Sequence, residues 1–442
     1  MVLVSLRLKT TTMLEKFFQL KANKTNVRTE VVAGVTTFMT MAYILAVNPG
    51  ILSATGMDAN AVFSATALSA VVATLVMALW AKLPFALAPG MGLNAFFAFT
   101  VVQVMGYEWQ FALTAVFLEG LIFLLLTAFN IREIIVNSIP LNLKHAISAG
   151  IGLFIAFIGM QNAGIIVDNP ATLVSLGSIE QPTMWVALFG LVLSGVLLAL
   201  KVKGALLIGI FATTILGIPA GVTHLPDGHL VSLPPSLAPI AFQFDFSNIF
   251  SVDMLVVLLT FLFVDMFDTV GTLVGVASKA DMIDKDGKLP RVKQALFADA
   301  VGTTVGAMLG TSTVTTYVES ASGVAEGGRT GLTALTVAVM FALALFLSPL
   351  FLMVPGAATA PALILVGSFM MSPVMKINFD DYTESIPAFL TVVMMPLAYS
   401  IAEGIVFGIL AFVFLKLFSG RTRDISIVMY ILAILFIGKF FF

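Results

Sequence analysis

The sequence predicts an all-α polytopic membrane protein with fourteen transmembrane segments, arranged as two sets of seven. Three observations support this fold class. Apolar residues make up 59% of the 442 residues and charged residues only 10%, against roughly 25% charge in a soluble domain. Lysine and arginine recur after every second apolar segment, and a glycine-rich interruption falls in the third segment of each set.

The apolar segments are separated by short polar turns, and most approach the ~20 residues with which a helix crosses a bilayer. The first set occupies residues 29–52, 59–81, 84–106, 109–130, 140–164, 183–200 and 203–220. The second set occupies residues 253–278, 292–310, 311–328, 331–354, 359–375, 385–397 and 399–418. A basic arm (1–28) precedes them, a polar loop (221–252) separates them, and a tail helix (421–442) follows.

The positions of the basic residues orient the chain. Cytoplasmic loops of membrane proteins are enriched in lysine and arginine. With the N-terminal arm inside, the basic loop residues also fall inside, as Lys201 and Arg329 do, whereas Asp58, Glu108 and Asp227 fall outside. Both termini are therefore expected in the cytoplasm, with the chain spanning the cell (inner) membrane. A fifteenth span would place Lys439 outside, so the tail is predicted to lie at the interface or against the other helices.

The two sets are predicted to be inverted repeats, since an odd number of crossings turns the second set upside down. Segment 3 begins PFALAPGMGLNAFF and segment 10 reads TSTVTTYVESASGVAEGG. Each is expected to form a short extended piece followed by a half-helix. Irregular backbone at membrane depth is tolerated only where protein buries it or where it lines a cavity. Interrupted segments at matching places in two halves point to a transporter's binding site.

Carboxylates inside these segments are the first candidates for function, because an intramembrane charge is costly. Asp265 and Asp268 stand three residues apart in segment 8, on neighbouring parts of one helix face, with Thr272 one turn beyond Asp268. Either aspartate could instead cap a broken neighbouring helix. Glu319 stands at the start of the second half-helix, where it could bind a heterocycle or simply face the helix dipole.

Further polar residues have weaker or mixed interpretations. Asn94 offers a donor and an acceptor to a neutral ligand, or it ties the broken backbone together. Asp299 in segment 9 could hold core helices together or pair with a hydroxyl, and Glu119 in segment 4 is as compatible with structure as with function. Glu326 is expected to pair with the nearby Arg329.

Composition excludes several other classes of site. The chain contains no cysteine and three histidines, so disulfides and thiolate metal sites are absent and no metal or cofactor is expected. Nothing in the composition suggests nucleic-acid binding. Positive charge is not expected at the candidate site, which argues against an anionic substrate. A carboxyl that gains and loses a proton there could couple a proton gradient to binding.

Five motifs resemble those of the AzgA-like purine permeases, a branch of the nucleobase–cation symporters. They are GVTTFMTMAYILAVNP (34–49), APGMGLNAFF (88–97), FDTVGTLVGVASKA (267–280), GTSTVTTYVESASGVAEGGRTGL (310–332) and SIPAFLTVVMMPLAYSIAEGI (385–405). The resemblance covers the chain from about Thr25 to the C-terminus. More distantly, the uracil-permease patterns E-H-I-G-H-L and T-T-Y-G-E align with residues 268–273 and 315–319.

The resemblance implies a uracil-permease-like fold in which short strands of segments 3 and 10 meet. It implies a core domain of residues 29–130 and 253–354 and a gate domain of residues 131–220 and 355–420. The two domains would move against each other in alternating access, within a homodimer.

The resemblance also implies roles for individual residues. Base binding is assigned to Asp268, Glu319, Asn94, Thr272, Tyr317 and Val318. Proton coupling is assigned to Asp268, Glu319, Asp265 and Asp299. Asn94 would tune which purine is preferred. Thr272 stands where the uracil permeases have histidine, and Val318 stands where they have glycine, so the proton relay and the space around the base are expected to differ here.

Proton-coupled import of a neutral purine base (adenine, guanine or hypoxanthine) is the leading hypothesis. An anion carrier of the sulfate or bicarbonate type shares the fold, but the acidic site argues against it. An intramembrane aspartyl protease using Asp265 and Asp268 is a remote alternative, because catalytic aspartates must face each other rather than share one helix face. We therefore expect a transporter and not an enzyme.

Overall fold

The computed structural model describes residues 13–129, 139–225, 229–279, 282 and 289–439. In the first half the helices are α1 (Val27–Met41), α2 (Ile44–Ser53), α3 (Ala59–Val76), α4 (Met91–Ala95), α5 (Trp109–Ala128), α6 (Leu141–Asn162), α7 (Pro182–Ala199) and α8 (Ala205–Gly217). In the second half they are α9 (Val252–Lys279), α10 (Val292–Leu309), α11 (Ser320–Ala325), α12 (Gly331–Ala344), α13 (Ser348–Leu352), α14 (Gly356–Met370), α15 (Tyr382–Leu397), α16 (Ile401–Phe418) and α17 (Ile427–Lys439). The strands are β1 (Leu87–Pro89), β2 (Ile166–Asn169), β3 (Leu173–Leu176) and β4 (Val314–Thr316).

Short stretches of other helix types continue several of these helices. The π-helices Met77–Ala81 and Phe96–Val104 extend α3 and α4, and 3-10 turns occupy Leu345–Leu347, Ser372–Lys376 and Thr422–Asp424. Together α4 and its π-helix span only residues 91–104, so this helical stretch is shorter than the long helices around it.

Many of the described helical stretches have the length and composition to cross a membrane. Among the described residues, eight helical stretches are long and apolar enough to cross a membrane: Val27–Ser53, Ala59–Ala81, Trp109–Ala128, Leu141–Asn162, Pro182–Ala199, Gly331–Leu352, Gly356–Lys376 and Ile401–Phe418. Met91–Val104, Ala205–Gly217 and Ile427–Gly438 are shorter apolar helices. The mostly helical, polytopic character agrees with the sequence analysis, while the count of fourteen crossings and the inverted repeat remain predictions.

Several helices begin at a side chain that satisfies their first N–H groups. Asn26 accepts from the Thr29 N–H at the start of α1, and Asp58 accepts from the Ala61 N–H at the start of α3. Ser400 does the same at α16. Such capping stabilises a helix by about 1 kcal/mol, and it places these helix starts at short polar turns between apolar stretches.

The two interrupted segments meet in a two-stranded antiparallel sheet. Leu87 lies opposite Thr316, and Pro89 opposite Val314. The ladder continues at both ends, where the Tyr317 N–H donates to the Ala86 carbonyl at 2.9 Å and the Gly90 N–H donates to the Thr313 carbonyl at 2.9 Å. Both strands are fully buried, so the sheet satisfies backbone groups that would otherwise be orphaned inside the protein. The half-helices α4 and α11 leave this sheet from its opposite ends.

A second hairpin was not predicted from the sequence. β2 and β3 pair antiparallel between α6 and α7, with Ile166 opposite Leu176. Most of its side chains are exposed or half-buried. Its strands have only four residues each and lie between two longer apolar segments, so their sequence pattern was too short to indicate a hairpin.

The C-terminal helix α17 packs against α16. Met429 and Phe436 are buried, whereas Ile427 and Ile434 are exposed. The buried Lys416 ammonium of α16 lies 3.5 Å from the Asp424 carboxylate in the chain between the two helices, and 2.7 Å from the Glu384 carboxylate of α15.

Candidate functional site

Glu319 is the residue that β4 and α11 hold between them. Its carboxylate makes no capping hydrogen bond to α11, and instead its Oε1 accepts a hydrogen bond of 2.7 Å from the Tyr43 hydroxyl. Tyr43 lies between α1 and α2 and is buried. Glu319 is half-buried and the preceding Val318 is 51% exposed, so this point of the broken segment opens onto accessible space.

Asp268 reaches the same region from the long helix α9. Its carboxylate accepts a hydrogen bond from the Thr315 hydroxyl, and it lies within electrostatic range of Glu319 and Asp299. The neighbouring strand leaves space for this contact only because residue 90 is glycine: a Cβ there would lie 2.9 Å from the Thr315 Oγ1. The structure therefore brings Asp268 and Glu319 to one site beside the two-stranded sheet.

Asp265 and Asp299 form a second, fully buried cluster with Thr269. The Thr269 Oγ1 lies 2.6 Å from Asp299 Oδ1 and 3.1 Å from Asp265 Oδ1. A hydroxyl has one proton to donate, so Thr269 can donate to only one of the two carboxylates. The other contact is a hydrogen bond when the second carboxyl is protonated and donates to the Thr269 oxygen. The aspartates of α9 were expected on neighbouring parts of one face; in the structure Asp265 contacts Thr269, which links it to Asp299 of α10, and Asp268 contacts Thr315 of β4.

Asn94, in α4, connects the two interrupted segments. It is fully buried, and its Oδ1 accepts a hydrogen bond from the Ser312 hydroxyl just before β4. Its Nδ2 has no hydrogen-bond partner among the described residues. Asn94 therefore ties the segments together with one end of its amide and presents a free donor with the other.

The other predicted binding residues differ in their surroundings. Tyr317 is buried, and its hydroxyl donates to the Pro89 carbonyl at 2.6 Å, so it fastens β4 to β1. Thr272 is half-buried one turn beyond Asp268. Val318 has an exposed side chain beside Glu319. A ligand at Glu319 can contact Val318, whereas Tyr317 acts through the sheet.

Tyr43 and Thr315 were not predicted from the sequence as partners of the two carboxylates. Tyr43 lies in the motif TMAYILAVNP, where only a hydroxyl in an apolar run distinguishes it. Glu119 accepts a hydrogen bond of 2.5 Å from the Thr313 hydroxyl, which places this carboxylate against the chain entering β4. The signal available in the sequence was the density of hydroxyl residues in TSTVTT, each a possible donor to a carboxylate.

Two further acidic residues, Glu326 after α11 and Glu30 of α1, make contacts that were not predicted. Glu326 was expected to pair with Arg329; it pairs with Lys203 at 2.7 Å, while Arg329 Nη1 donates to the Val324 and Gly328 carbonyls at 2.6 and 2.8 Å. Glu30, which the sequence analysis did not single out, is fully buried. Its carboxylate accepts from the N–H groups of Arg329 and Thr330 at 2.9 and 3.2 Å.

No metal site accompanies these carboxylates in the part of the chain that the structure describes: no group of three or more His, Cys, Asp or Glu side chains could hold an ion. The hydrogen-bond donors to Asp268 and Glu319 are uncharged: the Thr315 hydroxyl for Asp268, and the Tyr43 hydroxyl and a backbone N–H for Glu319. This arrangement is suited to binding a neutral polar molecule with N–H donors.

A polytopic helical protein with an acidic site between two broken segments has the features of a membrane permease. The sequence model of the Permease family matches residues 28–407, and the chain belongs to this family. It is an integral membrane permease and not an enzyme. The resemblance drawn from the five motifs is thereby confirmed.

The similarity to characterised relatives extends over nearly the full length. Adenine permease AdeP of Escherichia coli is 47% identical over 430 residues, covering 97% of this chain and 96% of AdeP. Guanine/hypoxanthine permease PbuG of Bacillus subtilis is 46% identical over 440 residues, covering 97% of this chain and 100% of PbuG. The transmembrane domain of the cyanobacterial bicarbonate transporter BicA has a TM-score of 0.66 at 16% identity, covering 86% of this chain and 97% of that domain. This last similarity shows the fold alone.

Proposed function

We propose that this permease imports a neutral purine nucleobase (adenine, guanine or hypoxanthine) by proton symport. The observation that carries the proposal is the convergence of Asp268 and Glu319, from α9 and the start of α11, on one site beside the β1–β4 sheet. Purine bases present adjacent N–H donors and ring-nitrogen acceptors, which carboxylates and the free Asn94 Nδ2 can pair with. The names of AdeP and PbuG support a purine as the substrate.

Proton coupling follows from the crowding of acidic groups. Asp268 lies within electrostatic range of both Glu319 and Asp299, and like charges in a low-dielectric interior disfavour simultaneous ionisation. A proton taken up with the base would relieve this repulsion, and its release inside would weaken binding. Asp265 and Asp299, bridged by Thr269, form the neighbouring acidic pair through which the proton state can be shared.

The proposed transport cycle is alternating access of a core domain (29–130 and 253–354) against a gate domain (131–220 and 355–420). Fourteen segments in two inverted sets, with segments 3 and 10 broken at the strands, would place the binding site between the domains. The β1–β4 pairing and the fold similarity to BicA support this arrangement. We further propose that both termini are cytoplasmic and that the protein functions as a homodimer.

The test is uptake of radiolabelled adenine, guanine and hypoxanthine into proteoliposomes under an imposed inward proton gradient. Saturable accumulation that a protonophore abolishes, and that persists when sodium is replaced by potassium, is the expected result. A panel of unlabelled bases competing with one labelled purine ranks the substrates. The anion alternative would be correct if labelled sulfate or bicarbonate accumulated and purines failed to compete.

A further inference from the structure

A cavity of about 620 Å³ lies on the side of the protein that the proposed orientation places in the cytoplasm. It forms where the chain before α1, the end of the π-helix after α3, the start of α10 and the loop before α12 come together. Four cationic residues line it: Lys24, Lys82, Arg291 and Arg329. Its size falls within the ~300–1,000 Å³ of small-molecule sites.

The positive charge of this cavity is not neutralised within the described part of the chain. Lys82 Nζ donates to the Phe17 carbonyl at 3.2 Å, and Arg291 Nη1 donates to the Ala81 carbonyl at 3.3 Å. None of the four cations takes part in an ion pair among the described residues. The cavity lining includes no described carboxylate. These carbonyl partners orient Lys82 and Arg291 without supplying negative charge.

Backbone dipoles add to this charge. The cavity is lined by Asn26, Arg291 and Arg329, which directly precede or lie within two residues of the first residues of α1, α10 and α12. The start of a helix carries about half a positive charge, and helix starts with unpaired N–H groups attract phosphate. Asn26 caps α1 and Glu30 lies in its first turn, and the Glu30 carboxylate also accepts N–H groups at the start of α12. The start of α10, which has no side-chain cap, and four cations therefore converge on one space.

We propose that this cavity binds a phosphate group, carried either by a soluble nucleotide or by an anionic lipid headgroup. Arginine forks and lysine point charges are the side chains that recognise phosphate oxygens. Asn23, Asn26 and Thr29 in the same lining supply neutral polar contacts for the rest of the ligand. The site is separate from the proposed purine site, although Arg329 also holds the last carbonyls of α11, the half-helix that begins after Glu319.

The first arm of the test measures binding of GMP and of inorganic phosphate to the full-length protein in nanodiscs of phosphatidylcholine alone. The second arm measures retention of phosphatidylglycerol, by native mass spectrometry, from nanodiscs that contain both lipids. Saturable nucleotide or phosphate binding that weakens with salt identifies a soluble ligand, and selective retention of phosphatidylglycerol identifies a lipid headgroup. Either result supports a phosphate site, and failure in both arms overturns it.

Variants locate the binding. Lys82→Gln and Arg291→Gln are each expected to weaken it about fivefold, and the double variant roughly 25-fold, since each removes one partly exposed charge contact. Lys201→Gln is the matched control, because Lys201 is exposed and shares the left-handed backbone of Lys82, with φ of 57° against 55°. Lys24→Gln provides a third cavity variant should the double variant not fold. Unchanged affinity in the cavity variants, or an equal loss in Lys201→Gln, would overturn the assignment.

Discussion

The hydroxyl partners of the two carboxylates define the site at the residue scale. Tyr43 donates to Glu319, and Thr315 donates to Asp268. A hydroxyl can orient a carboxylate without neutralising it, because it contributes a hydrogen bond but no opposite charge. Both carboxylates therefore keep the capacity to accept further N–H groups from a ligand or to take up a proton.

Replacing either carboxylate with its amide is expected to abolish concentrative uptake. Asp268→Asn and Glu319→Gln retain the shape of the side chain but cannot exchange a proton. Accumulation under a proton gradient should therefore fall at least 100-fold, which corresponds to the ~3 kcal/mol cost of losing a charged hydrogen-bond partner. The measurement is proteoliposome uptake, with surface expression checked in cells. Full accumulation by either variant would remove that residue from the mechanism.

Removing the Tyr43 hydroxyl should weaken the site without destroying it. Tyr43→Phe deletes one hydrogen bond of 2.7 Å to Glu319, worth roughly 1–2 kcal/mol when the acceptor is charged. We expect a rise in KM for the purine of about tenfold and a shifted pH dependence of uptake. Tyr107→Phe is the control, since Tyr107 bonds to Asp253 away from this site. Equal effects in both variants would indicate general destabilisation instead.

At the scale of elements, the sheet and the half-helices depend on side chains distant in sequence. Glu30 of α1 accepts N–H groups at the start of α12, and the Tyr317 hydroxyl binds the Pro89 carbonyl between the strands. Thr333 also donates to Glu30, through its hydroxyl at 2.6 Å. A carboxylate from one helix thus adds to the local cap of another, in which the Thr330 hydroxyl accepts from the Leu332 N–H.

Loss of this distant cap should destabilise the protein. Glu30→Ala leaves buried N–H groups of Arg329 and Thr330 without an acceptor, at an expected cost of about 3 kcal/mol. The readout is the midpoint of thermal unfolding in detergent, which should fall by several degrees. Glu15→Ala is the control, because among the described residues the Glu15 carboxylate forms its ion pair with the exposed Lys21. A midpoint unchanged in Glu30→Ala would show that water replaces the carboxylate.

The elements were largely predictable from the sequence and their side-chain contacts were not. Apolar length and polar turns placed α5, α6 and α10 to within a few residues of their observed bounds, since backbone satisfaction in lipid favours uninterrupted helices. The stretches that carry β1 and β4 were marked by glycine, proline and β-branched residues. Pairings such as Glu326 with Lys203 are set by helix packing, which no local pattern encodes.

The site was predictable in the same uneven way. Asp268 and Glu319 stood out because charge in an apolar segment is rare. Tyr43 did not stand out, because a tyrosine in an apolar segment most often packs or lies at an interface. Recognising its role required knowing that the turn between α1 and α2 passes beside α11.

At the scale of the whole molecule, the proposed cycle requires the core and gate domains to move apart. They touch where Thr100, after α4, donates through its hydroxyl to the Tyr399 carbonyl at 3.3 Å. The Phe99 and Tyr399 rings pack edge to face nearby, with centroids 6.2 Å apart. This contact joins segment 3 to the turn between α15 and α16.

A covalent link across that contact should arrest transport. The chain has no cysteine, so Thr100→Cys with Tyr399→Cys can be bridged by a short bismaleimide without side reactions. Uptake is expected to be lost on cross-linking while purine binding, measured by equilibrium dialysis, is kept within about threefold, because one conformation stays able to bind. Each single-cysteine variant treated with the reagent is the control. Undiminished uptake by the cross-linked protein would exclude this relative motion.

The β1–β4 sheet constrains how the protein is made. Each strand contributes three residues, and a two-stranded pair of that size has little stability of its own. The Ala86 carbonyl and the Gly90 N–H therefore lack their ladder partners until Thr313 and Tyr317 have been synthesised. During biosynthesis the early helices are therefore held in the bilayer with an incomplete sheet. Truncated chains ending before β4 should accordingly be recognised and degraded by membrane quality control.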